Sequence, residues 1–206
     1  MAITKQHVLY AQLMEEVKIR LSCIEAAVQG RTGFPTPVVR EFCYLQLRFL
    51  CELIALSCLV AHGDIKSLQS HHTGKAYSAD DILGRLSKLR PHFYPFAWKG
   101  DRANALHLHM AVLKPQPLPK DELLVLYGKT HRFLHRGNIR KLLSSPTSID
   151  LEIKVPEIMG WAQKINDQLE RHTININDRQ LIVCILRNRD DHNRVQVATA
   201  EAAQPP

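Results

Sequence analysis

Apolar residues recur every three to four positions over residues 4–28, and charged residues occupy the positions between them. This spacing predicts an amphipathic helix with one apolar stripe that faces a core. The stripe consists of Tyr10, Leu13, Val17, Leu21, Ile24 and Val28. Gly30 and Gly33 end this helix, and a proline-containing turn follows. Pro37 then suits the first turn of a second helix, which we expect over residues 37–62.

The second helix is apolar on nearly all sides, which predicts that it is the central buried element. Its residues 42–61 are also long enough to span a bilayer core. Arg48 and Glu52 lie near the middle of that segment, and each charge would cost roughly 2.5–3.5 kcal/mol in a membrane. We therefore expect a core helix, and no membrane among the partners.

The middle of the chain alternates between helical and irregular patterns. Residues 65–77 are polar and predict a loop, and a capping box at Ser78 predicts a short helix to about Arg90. Residues 91–118 carry four prolines and predict an irregular stretch with exposed aromatic side chains, and a short strand or helical turn at 104–112. A fourth helix is expected from Pro119 to Leu143, with a bend near Gly137.

The character of the sequence changes after residue 147. Residues 149–155 alternate between apolar and polar side chains, which predicts a half-buried strand. Pro156 opens a helix, residues 180–187 predict a second strand, and Val195, Val197 and Thr199 alternate in a third. The predicted fold class is therefore mainly α, with α+β character overall. A helical bundle spans residues 1–143, a small C-terminal β-α-β-β appendage packs on it at 148–201, and residues 202–206 form a frayed tail.

Composition and charge narrow the class of protein. The formal net charge is +7, from 27 lysine and arginine residues against 20 acidic ones, which permits a nucleic-acid or acidic partner. The basic residues are scattered, with no run of five or more, so the alternative is a merely basic solvated surface. The five cysteines form no C-x-x-C pair and are odd in number, so we expect buried, reduced thiols. The amino terminus has no apolar segment typical of a secretory signal. These features predict a cytoplasmic protein, and no cofactor motif is present.

Two sets of polar residues are candidates for a site. Arg48 and Glu52 are one helical turn apart on the most apolar helix, which predicts an ion pair or a polar cleft in which one of them meets His135. Tyr127 and His131 are predicted to line the same cleft. His131 and His135 emerge on one helix face, as two zinc ligands would. An arginine, Arg132, follows the first histidine where zinc-dependent proteases carry a glutamate, so no metal is predicted.

The segment from Tyr127 to Gly137, with its His135-Arg136-Gly137, and the upstream Leu-Arg48-x-x-x-Glu52-Leu resemble bacterial all-helical families that are similar to the HEPN superfamily. The resemblance covers about residues 37–140. It implies a helical-bundle homodimer with a role in nucleic-acid processing or a toxin–antitoxin system. Active members of the superfamily cut RNA with an arginine that is followed by a histidine after four to six intervening residues.

The chain departs from that pattern at His135, because Gly128, Lys129 and Thr130 stand where the arginine is required. The spacing does occur elsewhere, and only at Arg187 and His192 is the arginine followed by the polar residue that the motif favours. The local pattern there predicts strand, turn and strand, whereas the superfamily places the motif on a helix. The resemblance therefore implies His135, or Arg187 with His192, as the catalytic residues of a ribonuclease.

The sequence favours a non-enzymatic helical protein that binds RNA or a nucleic-acid-associated complex, and that forms a homodimer. Its predicted phosphate contacts lie at helical spacing along the fourth helix and are Lys129, Arg132, Arg136 and Arg140. Tyr94 and Trp98 are predicted to stack on bases. The alternatives are a metal-independent ribonuclease of HEPN type and, third, a metal-dependent enzyme that uses His131 and His135.

Overall fold

The structure, a computed structural model, describes residues 4–63, 78–100, 109–134, 153–177 and 179–201. Within these ranges, five α-helices are formed. They are α1 (Lys5–Val28), α2 (Thr36–Ala61), α3 (Ala79–Leu89), α4 (Lys120–Leu134) and α5 (Val155–Leu169). The strands are β1 (Phe96–Lys99), β2 (Ala111–Val112), β3 (Arg171–Asn175), β4 (Gln180–Asn188) and β5 (Arg194–Glu201).

The two long helices form the centre of the protein. α1 buries Tyr10, Met14, Val17, Leu21 and Ile24 along one stripe, as the helical spacing predicts. α2 packs against α1, α3 and α4, and thirteen of its 26 residues are buried. By length and composition alone α2 could cross a membrane, and 61% of its most apolar window is buried inside the structure.

The strands form one antiparallel sheet in the order β2-β1-β3-β4-β5. α1 packs against β4 and β5, and α5 packs against β1, β3 and β4. Apolar residues of the sheet, among them Ile174, Ile182 and Leu186, belong to the same buried cluster as the side chains of α1 to α4. The predicted fold class, mainly α with α+β character, is confirmed.

The predicted first strand of the C-terminal lobe is wrong where the structure describes it. Ile153 and Lys154 are not in a strand, and α5 already begins at Val155. The sheet instead gains β3 directly after α5, and two further strands from the middle of the chain. The C-terminal order is therefore α5-β3-β4-β5, and the sheet is not built from the lobe alone. Residues 149–152 of the predicted strand lie outside the described residues.

The prediction of exposed aromatic side chains in residues 91–118 is also wrong. Tyr94 is 9% exposed and Trp98 is 3% exposed, so neither side chain is available to stack on bases. The Tyr94 hydroxyl donates a hydrogen bond to the Leu118 carbonyl oxygen at 3.0 Å. The Gln168 side chain satisfies backbone groups that have no partner in a helix or strand. Its Oε1 accepts from the Leu118 N–H at 2.9 Å, and its Nε2 donates to the Pro95 carbonyl oxygen at 2.7 Å.

One further prediction is corrected, and several others concern residues that the structure does not describe. The Ser78 side chain makes no capping bond to the backbone of α3 and instead donates to the Asp81 carboxylate at 2.7 Å. Other predicted elements lie wholly or partly outside the described residues. They are the loop at 65–77, the end of the fourth helix at 135–143, residues 104–108 of the short element at 104–112, and the tail at 202–206.

Candidate functional site

Arg48, Glu52 and Tyr127 meet between α2 and α4, as the sequence predicts. Arg48 Nε lies 3.1 Å from Glu52 Oε1, and each of the two side chains is 25% exposed. Arg48 Nη2 donates to the Tyr127 hydroxyl oxygen at 2.8 Å, and that hydroxyl donates to Glu52 Oε1 at 3.3 Å. The guanidinium also lies over the Tyr127 ring, 4.5 Å from its centroid.

This cluster neutralises its own charges. One guanidinium faces one carboxylate, and the Tyr127 hydroxyl bonds to both. Burial raises the pKa of Tyr127, the Arg48 charge lowers it, and the net direction is upward, so the hydroxyl stays protonated at neutral pH. Because these bonds run between α2 and α4, the cluster links the two helices. His131, one turn along α4, is exposed, and His135 lies outside the described residues.

Lys129, the first of the predicted phosphate contacts, already has an acidic partner. Its ammonium nitrogen lies 2.7 Å from Glu157 Oε1 of α5, and the Tyr44 hydroxyl donates to the same oxygen at 2.6 Å. Burial alone would raise the pKa of the Glu157 carboxyl, but the hydrogen bonds from Lys129 and Tyr44 hold it below its usual value. Among the described members of the predicted row, only Arg132 is exposed without an acidic partner; Arg136 and Arg140 lie outside the described residues.

The predicted pair Arg187 and His192 lies in a strand and a turn, as the local pattern predicts. Arg187 is on β4, and its Nη1 donates to Asn166 Oδ1 at 2.8 Å and to Glu170 Oε2 at 2.6 Å. These bonds tie β4 to α5 and neutralise the guanidinium. His192 is exposed in the turn before β5, in a left-handed backbone conformation with φ of 50°.

Two buried histidines escaped the sequence analysis. His172 Nε2 accepts a hydrogen bond from the Tyr10 hydroxyl at 2.6 Å, and His172 Nδ1 donates to the Leu169 carbonyl oxygen at 2.9 Å. Burial lowers the pKa of His172 to about 4, so the ring is neutral at pH 7. Tyr10 and His172 are both fully buried, which closes them to a substrate. The ring nitrogens of His62 lie 2.9 Å and 3.0 Å from the carbonyl oxygens of Cys58 and Asn175.

A cationic pocket, also missed, opens between the end of α3 and the connection from β3 to β4. Its volume is about 320 Å³. The lining residues come from two distant stretches and are Arg90, Pro91, His92, Asn175, Asn177, Arg179 and Leu181. Among the described residues that line it none is acidic, and Asp178, between Asn177 and Arg179 in the sequence, lies outside the described part of the chain.

The exposed basic side chains continue from this pocket along α3. Arg85 and Lys88 are exposed and three residues apart, so they share a helix face. Residues 85–92 contain three cationic side chains and a histidine, and no carboxylate. We call Arg85, Lys88, Arg90, His92 and Arg179 the α3 basic surface. The signal in the sequence was the series of basic residues without a carboxylate in residues 85–92. This series is shorter than a typical basic segment that binds nucleic acid, and Arg179 joins it only in the folded protein.

Comparison with protein-family models, with curated proteins and with solved structures finds no match to this chain. The resemblance to the HEPN superfamily therefore stays a prediction.

Proposed function

We propose that the protein binds single-stranded RNA without cleaving it, and that the α3 basic surface makes the phosphate contacts. The observation that carries this proposal is the exposure of Arg85, Lys88 and Arg90, with no carboxylate in residues 85–92. Asp81, one turn before Arg85 on α3, accepts a hydrogen bond from the Ser78 hydroxyl. Phosphate contacts by such side chains supply most of the affinity in sequence-independent binding, because they release condensed counterions.

The basic residues that the sequence predicts as phosphate contacts on α4 are less available to RNA than those of the α3 basic surface. Lys129 lies in an ion pair with Glu157, and a phosphate would have to compete with that carboxylate. Arg187 has the same restriction through Glu170, so a catalytic role for Arg187 with His192 would also require the guanidinium to leave that carboxylate. The proposed homodimer stays a prediction from the resemblance.

Fluorescence anisotropy with a labelled single-stranded RNA over a range of salt concentrations tests the proposal. For wild type, the logarithm of the affinity should fall linearly with the logarithm of the salt concentration, by about 0.7 per neutralised phosphate. The Arg85→Gln/Lys88→Gln variant should bind more weakly, with a slope reduced in magnitude by about 1.4. The control Arg189→Gln/Arg194→Gln makes the same charge change at exposed positions near β5 and should bind like wild type.

A third variant compares the two candidate surfaces. Lys129→Gln/Arg132→Gln/Arg136→Gln/Arg140→Gln tests the row that the sequence predicts on α4. If this variant loses binding while Arg85→Gln/Lys88→Gln keeps it, the interface is on α4 and the proposed location is wrong. The RNA should be recovered at full length after incubation. Cleavage that disappears in His192→Ala or His135→Ala would replace the binding function with the ribonuclease alternative.

A further inference from the structure

The cationic pocket has the composition of a site for a single phosphate group. Two guanidinium groups line it, Arg90 from the end of α3 and Arg179 from the connection between β3 and β4. Neither makes an ion pair with a described residue, whereas Arg20, Arg48 and Arg187 are each held by a glutamate. An arginine fork that is not engaged by a carboxylate matches the oxygens of a phosphate in a bidentate geometry.

We propose that this pocket binds a phosphate monoester, either a free nucleotide or the terminal phosphate of an RNA strand. The second source rests on the proposed function, and the first does not. A monoester carries a charge of about −1.5 to −2 at pH 7. An internal phosphodiester carries one negative charge, so two guanidinium groups attract it less strongly than they attract a monoester.

The walls of the pocket are held in place by bonds that do not use the arginine side chains. Asn177 Oδ1 accepts from the backbone N–H groups of Arg179 and Gln180 at 2.9 Å and 2.8 Å, which shapes the connection that carries Arg179. His62 Nε2 lies 3.0 Å from the carbonyl oxygen of Asn175 at the start of the same connection. These bonds hold the backbone at Asn175 and Arg179 before a ligand arrives, so little ordering free energy is lost there on binding.

The opposite wall is fixed in a similar way. Arg90 follows α3 directly, and its N–H donates to the Leu86 carbonyl oxygen at 2.9 Å. Phe93, three residues further on, is buried and anchors the segment that carries Arg90 and His92. The His92 ring lies beside the ring of Phe96, with 6.2 Å between their centroids.

The remaining residues of the pocket suit the part of a ligand next to its phosphate. Pro91 and Leu181 offer apolar surface, and Asn175 contributes an amide side chain. A volume of about 320 Å³ falls at the lower end of the range for small-molecule pockets, roughly 300–1,000 Å³. The pocket can therefore hold a phosphate together with an attached sugar.

Isothermal titration calorimetry with a nucleoside 5′-monophosphate, the matching nucleoside and inorganic phosphate tests the site without RNA. We expect the monophosphate and inorganic phosphate to bind and the nucleoside not to bind. Arg90→Gln and Arg179→Gln should each weaken monophosphate binding about tenfold or more, because each removes charge-assisted hydrogen bonds. The control Arg189→Gln, with the same charge change, should bind like wild type. Failure of wild type to bind the monophosphate, or equal affinity of all four proteins, overturns the proposal.

A second experiment separates this site from RNA binding in general. Three RNA strands of one sequence carry a phosphate at the 5′ end, at the 3′ end, or at neither end. A gain in affinity from one terminal phosphate, lost in Arg90→Gln/Arg179→Gln, supports the site and identifies the end it takes. Equal binding of the three strands leaves RNA binding intact and overturns the RNA end as a ligand. Binding of the monophosphate without binding of any strand supports the pocket and refutes the proposed function.

Discussion

The hydroxyl of Tyr127 joins α2 to α4, and the variant Tyr127→Phe removes it while leaving the ring in place. The ring keeps its contact with the Arg48 guanidinium, which lies 4.5 Å from its centroid. Two hydrogen bonds are lost, one of 2.8 Å from Arg48 and one of 3.3 Å to Glu52. The expected effect is therefore a loss of hydrogen bonding without a cavity.

The size of the loss follows from the geometry of the two bonds. A hydrogen bond to a charged partner contributes about 1.5–3 kcal/mol when water cannot replace it. Arg48 and Glu52 are each 25% exposed, so water replaces part of the interaction, and the bond to Glu52 is long. We expect the free energy of unfolding to fall by about 1–2 kcal/mol. The melting temperature should fall by roughly 2–8 °C for a chain of this size.

Urea denaturation of a double-mutant cycle tests this reasoning. Tyr127→Phe is measured in wild type and in an Arg48→Met background, where the charged partner is absent. The loss should be smaller in the second background by at least about 0.5 kcal/mol. Tyr94→Phe is the matched control, because its hydroxyl donates to a backbone carbonyl oxygen at 3.0 Å, and its effect should be the same in both backgrounds. A Tyr127→Phe protein as stable as wild type, or equal losses in both backgrounds, would show that the cluster is not coupled.

Three further predictions concern other parts of the molecule. Burial lowers the pKa of His172 to about 4, below the value of about 6.5 in the unfolded chain, so its contribution to stability is full above pH 6.5 and is lost as the pH falls toward 4. The free energy of unfolding should therefore drop by about 2 kcal/mol between pH 7 and pH 5. This part of the drop should be absent in His172→Gln. Glu15 Oε1 accepts a hydrogen bond from the Val195 N–H at the open edge of β5 at 2.8 Å. Glu15→Leu should therefore lower the free energy of unfolding by about 0.5–1 kcal/mol in urea denaturation and increase self-association in size-exclusion chromatography. Glu15→Gln, which keeps an acceptor, should do neither. A thiol reagent should modify Cys23 first, because it alone of the cysteines is partly exposed, and burial raises the pKa of Cys43 to about 11; rapid modification of all five in the native protein would contradict the buried assignment.

The helical elements could be predicted because their signal is local. The stripe of α1 repeats with the helical period, and the residues it predicts as apolar are buried or pack against the core. The predicted strand was wrong at residues 153–155, because alternation over so few residues does not exclude the start of a helix, and Pro156 occupies the first turn of α5. β3 was missed because only five residues form it, four of them polar, and its pairing with β1 joins segments that are distant in the sequence.

The polar sites divide in the same way. Arg48 and Glu52 are four residues apart on one helix, so their ion pair could be predicted from spacing. Their 25% exposure could not, because it depends on how α4 packs over α2. The partner of Lys129 is Glu157, on a different helix, and only the packing of α5 against the rest of the protein decides that this lysine is neutralised.

The sequence by itself determined the helices, the predominance of α structure, the apolar core and the positive net charge, because periodicity and composition act over a few turns or over the whole chain. The tertiary structure alone decided which basic side chains remain available to an anion. Arg90 and Arg179 are 89 positions apart and come together because β3 and β4 fold back beside the end of α3. Electrostatic interactions depend on distance in space, and that distance is set by the packing of elements that are remote along the chain.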